Sequence, residues 1–125
     1  MYDFEYVALM LDDIVDRIPP ELLNGLTGVY LCPETKPSPK IPDGMHYVMG
    51  EFIRNETGHS INIYFGSVMK VHGTLPHTDL ADQLEKILRH ELRHHVETLA
   101  GCDDLAREDD AYVKSALEKL DGPGN

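Results

Sequence analysis

The stretch Leu88–Asp104, LRHELRHHVETLAGCDD, decides how this chain is interpreted. It contains His90-Glu91-Leu92-Arg93-His94, which has the spacing H-E-x-x-H. Residues four apart lie about one turn apart on the same face of an α-helix, so His90 and His94 can offer two nitrogens to one metal ion. Glu91 lies about 100° round the helix from His90, close enough to reach a metal-bound water without being a ligand. Two such ligands and one general base are part of what zinc-assisted hydrolysis requires.

The residues around the motif predict one long helix, from about Asp79 to about Leu99. An apolar stripe recurs at helical spacing along it, formed by Leu80, Leu84, Leu88, Leu92 and Leu99. At 100° per residue, His90 and His94 lie at the edge of this stripe, where a ligand pair can face a cleft. A chance match to H-E-x-x-H need not fall on such a boundary. The sequence therefore favours a zinc site over a solvated, histidine-rich helix face.

A catalytic zinc site needs a third protein ligand, and the sequence leaves several candidates open. Asp103 and Asp104 follow Gly101, a natural helix stop, so the chain can turn back there toward the histidines. Glu108 would come from a following helix, predicted over 109–120. Glu97 lies on the motif helix itself but about 10 Å along the axis from His90, which makes it a poor chelate.

The other cysteine and histidine side chains near the motif are interpreted differently. Cys102 has a ligand atom but is more often a small buried apolar residue. His95 falls inside the apolar stripe, which favours a packed histidine over a ligand. The remaining histidines lack ligand spacing and are interpreted as surface or loop residues: His46, His59, His72 and His77.

Composition limits the classes of function. The 125 residues contain 11 Lys+Arg and 22 Asp+Glu, a net charge of 11 − 22 = −11, which repels phosphate backbones and anionic membranes. We therefore expect neither a nucleic-acid nor a membrane partner. No segment resembles a signal peptide, and no apolar run approaches the roughly 18 residues of a membrane helix. With two cysteines, Cys32 and Cys102, the chain is typical of a reducing compartment, which predicts a cytoplasmic single domain spanning residues 1–125.

The rest of the pattern predicts an α+β fold. A first helix is expected over 3–18 and a first strand over Val29–Cys32, followed by a proline-rich loop over Pro33–Gly44. A hairpin is expected from His46–Arg54 and Ser60–Gly66, and Ser67–Val71 is expected to prolong its second arm. This order indicates a small antiparallel or mixed sheet with helices on one side. If the Ser60–Gly66 strand is an edge, it could hold an extended peptide by β-augmentation.

The motif resembles that of the small bacterial zincin-like metallopeptidases, a family first catalogued as a domain of unknown function. Their common motif is H-E-x-x-H-x-x-G-x-x-D, matched here by residues 90–94 and by Gly101-Cys102-Asp103-Asp104. The strand pattern I-x-I/L-Y ahead of the motif is similar too, as Ile61-Asn62-Ile63-Tyr64. The chain departs from the family motif in one place. Six residues, His95–Ala100, separate His94 from Gly101, where the motif has two. Four extra residues are about one helical turn.

The resemblance implies a minimal zincin-like fold, with a three- to four-stranded sheet packed on the H-E-x-x-H helix. It also implies that His90, His94 and Asp104 bind Zn2+ and that Glu91 is the catalytic base. The expected activity is zinc-dependent hydrolysis of peptide or amide bonds in a peptide or small protein substrate. The alternative is a non-catalytic binding or regulatory module that keeps this fold with weak or no metal.

Overall fold

The computed structural model describes residues 2–38 and 46–100 and has an α+β architecture. The N-terminal part contains helices α1 and α2 followed by five strands, and two further helices follow the last strand. The bounds are α1 Phe4–Arg17, α2 Pro20–Leu23, β1 Leu26–Cys32, β2 Lys36–Pro37, β3 Tyr47–Val48, β4 Gly50–Asn55, β5 Gly58–Tyr64, α3 Phe65–His72 and α4 His77–Ala100. The predicted α+β class is confirmed.

Three strands form a mixed sheet in the order β1-β5-β4. β4 and β5 are an antiparallel hairpin closed by Glu56-Thr57, and Asn55 Oδ1 accepts from the Thr57 N–H at 2.9 Å. β1 pairs with β5 in parallel, with Val29 opposite Ile61 and Leu31 opposite Ile63. β5 is therefore the central strand, and the expectation that Ser60–Gly66 is an edge is wrong, because both of its sides are paired.

The proline-rich segment contributes a short strand as well as loop. Lys36 pairs with Val48 and Pro37 with Tyr47, so β2 and β3 form a two-stranded antiparallel ribbon. Lys36 Nζ also contacts Glu51 Oε1 of β4 at 2.8 Å, and this ion pair joins the ribbon to the main sheet.

Helix α1 begins and ends where the local chemistry requires. Asp3 is the N-cap, and its Oδ1 accepts from the Tyr6 N–H at 2.8 Å. The helix stops at Arg17, because Ile18 precedes Pro19 and is held in an extended conformation. The apolar side of α1 is buried, as the spacing predicts: Val7, Met10, Leu11 and Ile14.

Helix α3 replaces the expected continuation of β5. Residues Phe65–His72 are helical, so the prediction that Ser67–Val71 prolongs the strand is wrong. The turn into this helix brings Gly66 against the main chain of Glu34 and Thr35, so close that a Cβ would lie 2.7 Å from the Glu34 carbonyl oxygen. Ser67 is fully buried, and its Oγ accepts from the Lys36 N–H at 2.8 Å.

Helix α4 lies across the sheet and carries the motif. Leu80, Leu84, Leu88 and Leu92 are fully buried, which confirms most of the predicted stripe. Burying such a side chain contributes about 1.5–3 kcal/mol, so this face fixes how the helix is rotated on the sheet. The described residues contain no helix with both the length and the apolar character needed to traverse a bilayer.

Candidate metal centre

His90 and His94 lie together on the solvent side of α4. Both side chains are exposed, and their Nε2 atoms are 3.3 Å apart. Their rings are nearly perpendicular, at 88°, with centroids 4.8 Å apart. The pairing follows from the helix, because the buried leucines set the rotation that leaves positions 90 and 94 facing outward.

This separation fits one tetrahedral zinc ion. Zinc–nitrogen distances of 2.0–2.1 Å and a tetrahedral angle put two ligand nitrogens about 3.3–3.4 Å apart. His90, Glu91 and His94 each offer one ligand atom, and these atoms lie within 4.8 Å of one another. The chemistry of the two histidines agrees, because imidazole is a common zinc ligand. The side chains present therefore suit the ion without rearrangement of the helix.

Glu91 differs from the two histidines in being buried, with 7% of its surface exposed. Burial raises the pKa of its carboxyl above the ordinary value, and the nearby His90 and His94 rings oppose that rise. The main-chain N–H of Phe52 in β4 also donates to the carboxylate, which lowers the pKa in turn. Glu91 is thus a partly desolvated carboxyl beside two exposed imidazoles, which suits a proton acceptor.

Close packing of α4 on β4 accounts for this burial. A Cβ added to Gly50 would lie 2.6 Å from Ile87 Cγ2 and 3.3 Å from Glu91 Cγ. Because position 50 has no side chain, the stem of Glu91 can lie directly against the strand.

His95 lies about 100° round α4 from His94 and is fully buried, as predicted. Its Nε2 is 2.6 Å from the carbonyl oxygen of Asn24, so this nitrogen carries the proton. Its Nδ1 then accepts from Nδ1–H of His59, 3.1 Å away. Burial lowers the pKa of His95 and so favours the neutral ring that this arrangement needs. These contacts agree with the expectation that His95 is packed in the core and is not a metal ligand.

His59 does not lie on the surface or in a loop, and that prediction is wrong. It lies in β5 opposite Arg54, half-buried, with its ring against those of Phe52 and His95. No spacing within the sequence relates positions 59 and 95, so this contact had no local signal. Among the described residues, none of the other three histidines joins His90 and His94 as a ligand: His46 precedes β3, His72 ends α3, and His77 Nδ1 meets the Tyr6 hydroxyl.

Among the described residues, Glu91 alone gathers with His90 and His94, and no further candidate ligand lies beside them. Glu97 is 51% exposed and contacts Arg93 at 3.8 Å, so it is directed along the helix surface. The other proposed ligands, Asp103, Asp104, Cys102 and Glu108, lie outside the described residues, as does the helix predicted over 109–120. Tyr64, which ends the strand ahead of the motif, donates its hydroxyl to Glu51 Oε1 at 2.6 Å.

Comparison with solved structures finds a protein of the same architecture. The chain superposes on a conserved hypothetical protein from T. thermophilus with a TM-score of 0.71 and 28% sequence identity. The match covers 79% of this chain and 98% of that one. No protein-family model and no curated protein matches the chain.

Proposed function

We propose that this protein is a zinc-dependent metallopeptidase of minimal zincin-like fold. One observation carries the proposal: two histidine Nε2 atoms lie 3.3 Å apart, a zinc-ligand separation, directly beside a buried glutamate. The setting supports it, because the H-E-x-x-H helix packs on a small sheet with the outer strand β4 alongside. The buried Glu91 carboxyl lies beside two exposed imidazoles, which puts a proton acceptor next to the proposed metal.

His90 and His94 would hold the ion, with Asp104 as the proposed third ligand. When bound, zinc would polarise the scissile carbonyl and lower the pKa of a water molecule to about 7. Both imidazoles must be neutral to offer their lone pairs, so binding would weaken in acid.

Glu91 would take a proton from the attacking water and pass it to the leaving amine. Its partial burial supports this role, because desolvation raises the pKa of the carboxyl toward the working pH. The carboxylate is held against β4, so it would meet the substrate in one orientation.

The substrate class follows from the strand beside the site. In β4 the main chain of alternate residues faces away from β5, and one of these outward amides, that of Phe52, donates to Glu91. An extended peptide adding to the rest of this edge would lie beside Glu91. We therefore propose unstructured peptides, rather than folded proteins, as substrates.

The experiment compares zinc content and hydrolysis in four proteins: wild type, Glu91→Gln, His94→Ala and the control Glu97→Gln. Each is loaded with zinc, dialysed, and incubated with a defined mixture of unstructured peptides analysed by mass spectrometry. We expect one zinc per chain and peptide cleavage in wild type and Glu97→Gln, zinc without cleavage in Glu91→Gln, and neither in His94→Ala. Cleavage by Glu91→Gln at the wild-type rate would overturn the proposal.

The distance between the two Nε2 atoms is also compatible with a second function, that of a non-catalytic binding or regulatory module. At 3.3 Å, one imidazole N–H can donate to the other ring without any metal, as in a binding or regulatory module that keeps the fold. Wild-type protein that holds no zinc at micromolar supply and cleaves no peptide would support this module.

A further inference from the structure

We infer that strand β4 positions the catalytic carboxylate, with the amide of Phe52 binding Glu91 and Gly50 making room for its stem. This inference rests on the proposed function, since it assigns β4 a part in the same reaction. It makes Phe52 a positioning residue that acts through Glu91, although it lies 39 positions earlier in the chain.

The hairpin register explains why the Phe52 amide is available. The Tyr64 N–H donates to the Met49 carbonyl at 2.8 Å, so Met49 and Tyr64 are a hydrogen-bonded pair. Such pairs alternate along an antiparallel ladder, and Phe52, opposite Ile61, is therefore in a non-bonded pair. Its N–H points out of the sheet edge, where it donates to the Glu91 carboxylate.

The ring of Phe52 fixes where that amide lies. It meets His59 edge-on, with centroids 5.2 Å apart, and lies 5.9 Å from His95. His95 in turn is held by the Asn24 carbonyl. The strand is thus tied at this position to β5, to α4 and to the turn before β1.

A fixed carboxylate has a kinetic consequence. The main-chain N–H occupies one acceptor site of Glu91 and so restricts the rotation of a carboxylate that lies beside His90 and His94. Misplacing a catalytic group by about 1 Å can lower the rate about 100-fold. Loss of the amide should therefore lower kcat and leave KM and zinc content unchanged, because the amide acts through Glu91 and not through either histidine.

The main-chain donor can be removed by Phe52→Pro. Proline is tolerated where an edge-strand N–H lies outside the ladder, as it does here. Phe52→Ala is the matched control, because it also lacks the ring but keeps the amide. On a peptide that wild type cleaves, we expect kcat about 10–100-fold lower for Phe52→Pro than for Phe52→Ala, with equal zinc content. Equal kcat values in the two variants would overturn the inference.

Amide hydrogen exchange in the zinc-free protein tests the contact without any substrate. Glu91→Ala should accelerate exchange at Phe52 at least several-fold. Exchange at Arg54, whose amide faces the same way in the register, should not change. An unchanged Phe52 rate would refute the contact. If wild type cleaves no peptide, the proposed function fails, whereas the exchange result still decides whether β4 holds Glu91.

Discussion

The imidazole of His95 donates to the main-chain carbonyl of Asn24 across 2.6 Å, whereas its neighbour His94 is turned toward solvent. Adjacent positions on a helix differ by 100°, so one histidine serves the core and the other a surface site. This contact joins α4 to the turn before β1, where Gly25 takes the left-handed φ of 86°. Substitution of His95 should therefore lower the stability of the protein, whereas substitution of His94 should leave its stability nearly unchanged.

Replacing His95 should reduce stability and spare the ligand pair. His95→Leu leaves the Asn24 carbonyl and the His59 ring without their partner, which costs about 1–3 kcal/mol for an unsatisfied buried group. Urea unfolding would measure the loss, with His94→Leu as the matched control on the exposed side. A smaller free energy of unfolding in His94→Leu than in His95→Leu would contradict this prediction.

Zinc should stabilise the folded protein through His90 and His94. A ligand that binds only the native state adds about 2.7 kcal/mol at a concentration 100 times its Kd. Thermal unfolding with and without zinc should show a rise in Tm that a chelator reverses. The rise should disappear in His90→Ala and persist in Glu97→Gln. An equal rise in His90→Ala would mean that the ion binds elsewhere.

Adding a side chain at position 50 should separate β4 from α4. The Cβ of Gly50→Ala would lie 2.6 Å from Ile87 Cγ2, and overpacking of this kind costs about 1–3 kcal/mol. Because the displaced strand carries Phe52, hydrolysis should fall more than stability explains. Gly58→Ala is the comparison, since it strains a glycine at φ 127° far from Glu91. Equal activity in the two variants at equal stability would count against the role of β4.

The pair between Lys36 and Glu51 should make stability depend on acid pH. The hydrogen bond from Lys36, with a second from Tyr64, lowers the pKa of Glu51 below its ordinary 4.5. Its contribution is present above pH 4.5 and is lost as the pH falls through the lowered pKa. Both side chains are more than a third exposed, so we expect only about 0.2–1 kcal/mol. Glu51→Gln should lose this advantage at pH 7 and differ less from wild type near pH 3, whereas Glu56→Gln should match wild type throughout.

Elements with strong local signals could be predicted from the sequence. Helix α1, the β4–β5 hairpin and α4 each have a cap, a turn or a leucine stripe within a few residues. The same stripe predicts where His90, Glu91 and His94 lie, because it alone sets the rotation of α4.

Features that depend on residues far away in the chain could not be predicted from the sequence. Phe65–His72 resembles a strand locally, with Phe65, Val68 and Val71, and is helical because of its packing against residues 34–36. The parallel pairing of β1 makes β5 central, yet its partner lies about 30 residues away. His59 likewise meets its partner 36 residues on.

The parallel pairing of β1 with β5 also affects the order in which the parts of the site form during folding. The histidine pair and the position of Glu91 depend on different parts of the fold. His90 and His94 are one turn apart, so any chain that forms this helix brings them together. The position of Glu91 instead depends on β4. That strand in turn pairs with β5, the central strand between β1 and β4. Long-range pairing of this kind is slow to form, because its loop-closure entropy must be overcome first. On the proposed function, a partly folded chain would bind its metal before Glu91 is positioned, and would not cleave neighbouring polypeptides until the sheet is complete.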